Sequence, residues 1–285
     1  MLHGSTHTRR VALALTAMLT AAVLLAPGLS MSSPATAQGG TVKLEWLGWS
    51  FFRLTSPSGK VVLINPYITG NADAAVSVDD INQADLILVA DAHRDEIGDT
   101  VAIAQKTGAK VYGPSRVTRW LVEAQGLPAA QNVGGNQGDR YRGVEGITVR
   151  NVLSIHDNSF GAPTPTLTYG GISSGFYVTF ENDWTVYFSG SSATSSDQAL
   201  WAQMWKPDAI IFHMSGTHDP ADVAMSIKLT ASDNPNLQVA MPHHHRVSPN
   251  AGDTSIAEVD AALSSMRVSM PITNQVRSQV YEFTK

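Results

Sequence analysis

Ala84-Asp85-Leu86-Ile87-Leu88-Val89-Ala90-Asp91-Ala92-His93-Arg94-Asp95-Glu96 is an apolar, strand-like run that ends abruptly in a polar turn. Four residues of metal-ligand type, Asp91, His93, Asp95 and Glu96, follow the run directly. Open sheets gather their ligands outside the carboxyl ends of strands, so such a turn marks a site as well as an element boundary. Taken alone, Asp91 and Glu96 also read as ordinary turn and first-turn helix acids, which the helix dipole favours.

Outward from this turn the chain alternates strand-like and helix-like segments. Short strands are expected at 42–47, 51–55 and 61–64, with Pro57-Ser58-Gly59 turning the chain between the last two. Val117, Trp120, Leu121 and Ala124 fall at i, i+3, i+4 and i+7, one buried helical stripe closed by Gly126 and Pro128. A second set of strands is expected at 147–155, 176–180 and 184–188. A helix at 195–205, a strand at 209–212, a helix at 220–230 and a strand at 237–241 follow. Ser255 and Glu258 have capping-box spacing for a last helix starting near Thr254, and a strand at 279–283 ends the chain. Meander-like strands followed by strand–helix alternation, in two successive halves, imply an α/β fold of two sheets with helices outside. The Gly/Ser/Thr/Pro-rich stretch 159–174 lacks periodicity and reads as a surface loop near the site.

The first 37 residues read as an address. Arg9 and Arg10 precede an apolar run from Val11 to Pro27 and a small-residue stretch ending Ala35-Thr36-Ala37, the layout of a secretory signal. The run is short for a membrane span, so no stable span is expected once it is removed. Arg9-Arg10 also has the form of a twin-arginine pair, although the residues after it match such a signal weakly. The expected mature chain is a single domain, residues 38–285, in the periplasm or secreted. Its net charge of −5 becomes −7 once Arg9 and Arg10 are gone, which argues against a nucleic-acid partner, whose binding needs clustered positive charge. There is no cysteine, so disulfides, zinc–thiolate sites and thiol nucleophiles are excluded. The expected partner is a small-molecule substrate; the residues specify no oligomeric state.

Polar residues of ligand type recur at further strand ends. His156 follows one strand, Ser191 another, His213 and His218 flank a third, and His243-His244-His245 follow a fourth. By composition alone, His156 also reads as a loop histidine, the triplet as surface, and His213 as a satisfied buried histidine. Ser191 has no general base identifiable from sequence, which argues against a serine nucleophile.

The chain resembles the metallo-β-lactamase superfamily, in its small hydrolase branch that includes ascorbate-6-phosphate lactonase-like proteins. The matching stretches are Leu47-Gly48-Trp49-Ser50-Phe51-Phe52, Ile64-Asn65-Pro66-Tyr67-Ile68-Thr69-Gly70-Asn71, Asn132-Val133-Gly134-Gly135, Tyr187-Phe188-Ser189-Gly190 and Pro242-His243-His244. The resemblance implies a four-layer αββα sandwich with a metal site at one edge of the sheets. It also implies His93, Asp95, His156 and His244 as ligands. The family turn His-x-His-x-Asp-His reads Asp91-x-His93-x-Asp95-Glu96 here, and Ser191 replaces a bridging aspartate. Trp49 replaces a histidine and is expected as packing in its place; Asn65 replaces an aspartate.

The surviving donors form two expected sets, Asp91, His93 and His156, and Asp95, Glu96 and His244. Each still offers three donors, the number a catalytic site uses. Carboxylates in place of imidazoles shift the preference toward Mn, Fe, Mg or Ca relative to Zn, without excluding zinc. Loss of the bridging carboxylate favours one divalent ion. The expected activity is metal-dependent hydrolysis of a lactone, ester, amide or phosphoester. Asp95 or Glu96 would handle the proton, and His218 and His245 would contact substrate. Two rivals remain open: a binding-only pseudoenzyme, and a metal-free acid–base isomerase, lyase or cyclase.

Overall fold

The computed structural model describes residues 39–160, 168–216 and 218–285. The leader expected at 1–37 lies outside the described residues. The first half contains β1 (Val42–Gly48), β2 (Phe51–Thr55), β3 (Val61–Ile64), β4 (Leu86–Leu88), α1 (Arg94–Ile97), α2 (Thr100–Thr107), β5 (Lys110–Pro114), α3 (Ser115–Gln125) and β6 (Asn132–Gly135). The second half contains β7 (Arg140–Val144), β8 (Ile147–Leu153), the short β9 (Ser159–Phe160) and β10 (Thr168–Tyr169), β11 (Ser174–Thr179) and β12 (Thr185–Phe188). It continues with α4 (Asp197–Trp205), β13 (Ala209–His213), α5 (Pro220–Ala231), β14 (Val239–His243), α6 (Ile256–Ser265) and β15 (Val280–Phe283).

One sheet has the order β15-β1-β2-β3-β4-β5-β6 and the other β14-β13-β12-β11-β8-β7. Each sheet begins as an antiparallel meander and becomes parallel further on, at β3–β4 in the first, across a long connection without an α-helix, and at β12–β13 in the second, where α4 makes the connection. The last strand returns to the first sheet and pairs antiparallel with β1.

Strand alternation builds three apolar layers. Inward residues of the first sheet, among them Leu44, Trp46, Phe52, Ile64 and Leu88, meet Phe176, Val178, Phe188 and Ile211 of the second in the central core. Outward residues Leu63, Ile87 and Val111 pack under α2 and α3 through Ile103, Val117 and Leu121. On the other side Tyr187, Ile210 and Phe212 pack under α5 and α6 through Val223, Ile227, Val259 and Leu263. The parallel strands are therefore apolar on both faces, as such strands must be when helices cover the sheet. The result is the αββα sandwich.

Two expectations shift. The stretch 159–174 is no plain loop: β9 and β10 pair antiparallel within it, with 161–167 outside the described residues. Strand β8 stops at Leu153, two residues short of expectation, which frees His156 at the rim.

Candidate metal centre

The ligand-type residues collect at the rim where both sheets present their carboxyl ends. The β4 strand delivers Asp91, and α1 starts at once, so His93, Asp95 and Glu96 occupy its cap and single turn. Asn65 accepts the Ala90 N–H at 3.0 Å, and Asn158 accepts the Ala92 N–H at 2.7 Å, so the turn is clamped from both halves of the chain. The Ser174 N–H donates to the Ala90 carbonyl at 2.8 Å, joining the sheets beside it. Trp49, Asn65 and His244 have φ of 58°, 49° and 62°, a left-handed conformation that non-glycine residues adopt at a cost. All three lie at strand ends on this rim, and the His244 N–H donates to the Trp49 carbonyl at 3.2 Å, across the two sheets.

The donors divide into two groups. Ligand atoms of Asp91, His93 and His156 lie within 4.8 Å of one another, and this is the one such trio of His, Asp or Glu among the described residues. Asp91 is fully buried, His93 about a quarter exposed and His156 exposed. Asp91 Oδ1 lies 3.1 Å from His93 Nδ1 and accepts the His93 backbone N–H at 2.9 Å. Hydrogen bonding to Asp91 raises the His93 imidazole to about 9. The other oxygen, Asp91 Oδ2, is buried with no hydrogen-bond partner. A buried carboxylate oxygen left so is costly unless a cation faces it, and the trio's chemistry fits a divalent ion.

The second group is knitted together by its own hydrogen bonds. His244 Nε2 is 3.1 Å from Glu96 Oε1 and 3.7 Å from Asp95 Oδ2. Ser191 Oγ donates to Glu96 Oε1 at 2.8 Å and stands 3.4 Å from His244 Nε2. Burial pushes the Glu96 carboxyl well up, with Asp91 and Asp95 adding to it, and burial drives the His244 imidazole down to about 4. Glu96 Oε2 is a second buried oxygen without a partner.

Trp49 is more than packing in a histidine's place: its Nε1 donates to Asp95 Oδ2 at 2.8 Å, and its ring tilts against His244 with centroids 5.3 Å apart. Ser50 Oγ donates to the Asp95 carbonyl at 3.0 Å. The triplet is not surface, since His243 is fully buried and His244 nearly so, with their Nδ1 atoms 2.7 Å apart. Parallel pairing sets His213 beside His243. Nor is His213 a satisfied histidine, because its Nδ1 has no partner and burial, with His244 and His243 next, holds its imidazole well down. His218 stands edge-on to it at 4.2 Å. His245 departs from the group: it stacks on Trp46 at 4.4 Å and lines a different cavity of about 920 Å³. Sequence reasoning missed Asn158, Ser50 and the hydrogen-bonding role of Trp49.

Residues 43–240 match the family model described as a beta-lactamase superfamily domain. A UPF0173 metal-dependent hydrolase of Myxococcus xanthus is 29% identical over 254 residues, covering 86% of this chain and 87% of the relative. Another from Koribacter versatilis is 30% identical over 192 residues, 66% of this chain and 79% of the relative. The solved structure of a metallo hydrolase from the archaeon Ignicoccus hospitalis superposes with a TM-score of 0.70 at 21% identity, over 85% of this chain and 98% of that one. The chain belongs to the β-lactamase superfamily, among its metal-dependent hydrolases.

Proposed function

We propose that the chain is an exported hydrolase that opens a lactone, ester, amide or phosphoester of a small molecule at one divalent ion, Mn, Fe or Zn. Asp91, His93 and His156 would hold that ion. The observation that carries the reading is that ligand atoms of these three residues lie within 4.8 Å of one another, on a buried Asp91 carboxylate whose Oδ2 has no hydrogen-bond partner. When bound, the ion supplies Lewis acidity toward water and toward the substrate's carbonyl or phosphoryl oxygen.

The chain's own groups do the rest. Asp95 is fixed by Trp49 and Ser50 and faces a cavity of about 530 Å³. From there it orients the attacking water, takes its proton and returns it to the leaving group. Glu96, Ser191 and His244 hold the second donor position as a buried brace behind Asp95. His218, beside His213, contacts the substrate from the second sheet.

Inductively coupled plasma mass spectrometry of untagged residues 38–285 tests this, with the Asp91→Ala/His93→Ala variant as control. The expected result is close to one ion per chain in the native protein and none in the variant. Absence of metal in both, with none taken up on titration, would overturn the reading and return the site to metal-free acid–base chemistry or to binding alone.

A further inference from the structure

The cavity of about 530 Å³ is lined by Asp95 and Trp49 of the site and by two arginines, Arg94 from α1 and Arg246 from the segment after β14. Each guanidinium is held over an aromatic face: Arg94 Cζ lies 5.9 Å from the Tyr67 ring centroid, and Arg246 Cζ 5.8 Å from that of Trp49. Stacking of this kind aims the planar fork without consuming its N–H edge. Asp253 further fixes Arg246 by accepting from Nη1 with both carboxylate oxygens, at 3.0 and 2.8 Å.

Two glycines make room for these groups. A Cβ on Gly70 would collide with Arg94 Nη2, and one on Gly216 would collide with Asp253 Oδ1 and crowd Arg246 Nη1. The acids on the cavity wall, Asp73 and Asp95, are engaged elsewhere. Asp73 Oδ2 accepts the Val247 N–H at 3.3 Å, and Asp95 Oδ2 accepts from Trp49 Nε1. The wall beside the reacting centre thus carries two stacked guanidinium groups, a side-chain type matched to oxyanions, with Arg246 Nη1 given to Asp253 and Arg94 Nη2 3.5 Å from the Thr69 carbonyl.

We propose that Arg94 and Arg246 bind an oxyanion group, phosphate or carboxylate, on the substrate. The proposal rests on the hydrolase reading and narrows its substrate class to small organic anions. Arg94 sits in the donor turn itself, between His93 and Asp95, so an anion bound there fixes the rest of the substrate relative to the ion and to Asp95.

Isothermal titration calorimetry decides it. Inorganic phosphate and, separately, succinate are titrated into metal-loaded wild type, Arg94→Gln, Arg246→Gln and the double variant, with metal content measured for each. Arg94 is exposed, so its replacement leaves the fold intact, and Arg246→Lys keeps a partner for Asp253 should the glutamine loosen that segment. The expected result is at least tenfold weaker binding of one probe in Arg94→Gln and a further loss in the double variant; the probe bound more tightly names the group. Affinity unchanged by the arginine substitutions but lost in Asp91→Ala/His93→Ala would place the anion on the ion, overturning this proposal and leaving the hydrolase reading intact. Binding of neither probe would also overturn it. A wild type that takes up no metal overturns the hydrolase reading instead.

Discussion

The two donor groups sit side by side on one rim and differ in how their polar atoms are spent. Asp91, His93 and His156 converge with a carboxylate oxygen unpaired and an exposed imidazole at the mouth. Around Glu96 and His244, most of the polar atoms are already joined, by Ser191 at 2.8 Å, by the Glu96–His244 contact at 3.1 Å and by Trp49 on Asp95. On the proposed reading the first group seats the cation and the second is a buried, hydrogen-bonded brace that keeps one Glu96 oxygen unpaired. A carboxylate substituted for an imidazole can therefore keep a ligand position or turn it into internal structure. The neighbours decide which: Ser191 supplies a donor that Glu96 Oε1 takes for itself.

The contrast breaks most sharply if the open group is removed. The Asp91→Ala/His93→Ala variant should lose its metal and at least about a thousandfold in kcat/KM, on the order of 4 kcal/mol of transition-state stabilisation, while keeping the fold. Circular dichroism beside metal analysis and turnover checks this. Removing the brace should act on stability instead. Glu96→Ala deletes a fully buried side chain and its hydrogen bonds to Ser191 and His244, and should cost about 2–3 kcal/mol in urea denaturation with the metal content kept. Loss of the metal in that variant with stability unchanged would reverse the assignment of the two groups.

Smaller effects sharpen the boundary between them. Trp49→Phe keeps the ring and removes the N–H to Asp95, so kcat should fall about tenfold, equivalent to about 1.4 kcal/mol, with full metal content. In metal-free protein, hydrogen bonding to Asp91 raises the His93 imidazole from its ordinary 6.5 to about 9. The stability this contributes is fully present below about pH 6.5 and is lost as pH rises through about 9. Nuclear magnetic resonance titration of the His93 ring should give a midpoint near 9, moving back toward 6.5 in Asp91→Asn. An unshifted midpoint in the native protein would show that the Asp91–His93 contact does not hold in solution.

Much of the fold was legible because its signals are local. The expected stripe lies on α3 but only Val117 and Leu121 of it are buried, with Trp120 half-buried and Ala124 exposed, and Ser255 and Glu258 form the capping box of α6 in both directions. Strands β1 to β3 stand where alternation and the Pro57-Ser58-Gly59 turn put them. What escaped was short and dependent on neighbours. Helix α2 is only eight residues long, and β5, ending in Gly113 and Pro114, is a strand because β4 and β6 pair with it on either side. Of the site, the residue types and their strand-end positions were legible; their partners were not. Ser191 and Glu96 are 95 residues apart, and Trp49 and Asp95 are 46 apart.

The sequence by itself determined the two-sheet plan and the set of chemistry-bearing residues, because hydrophobic periodicity and strand-end polarity are written within a few consecutive positions. Only the tertiary structure decided that Asp91 and Glu96 each keep one unpaired oxygen while the other Glu96 oxygen is bound by Ser191 and His244, and that Arg94 and Arg246 share one cavity wall. The reason is physical: burial and hydrogen-bond partnership belong to pairs of atoms brought together by sheet packing, and no single stretch of chain contains both members of the pair.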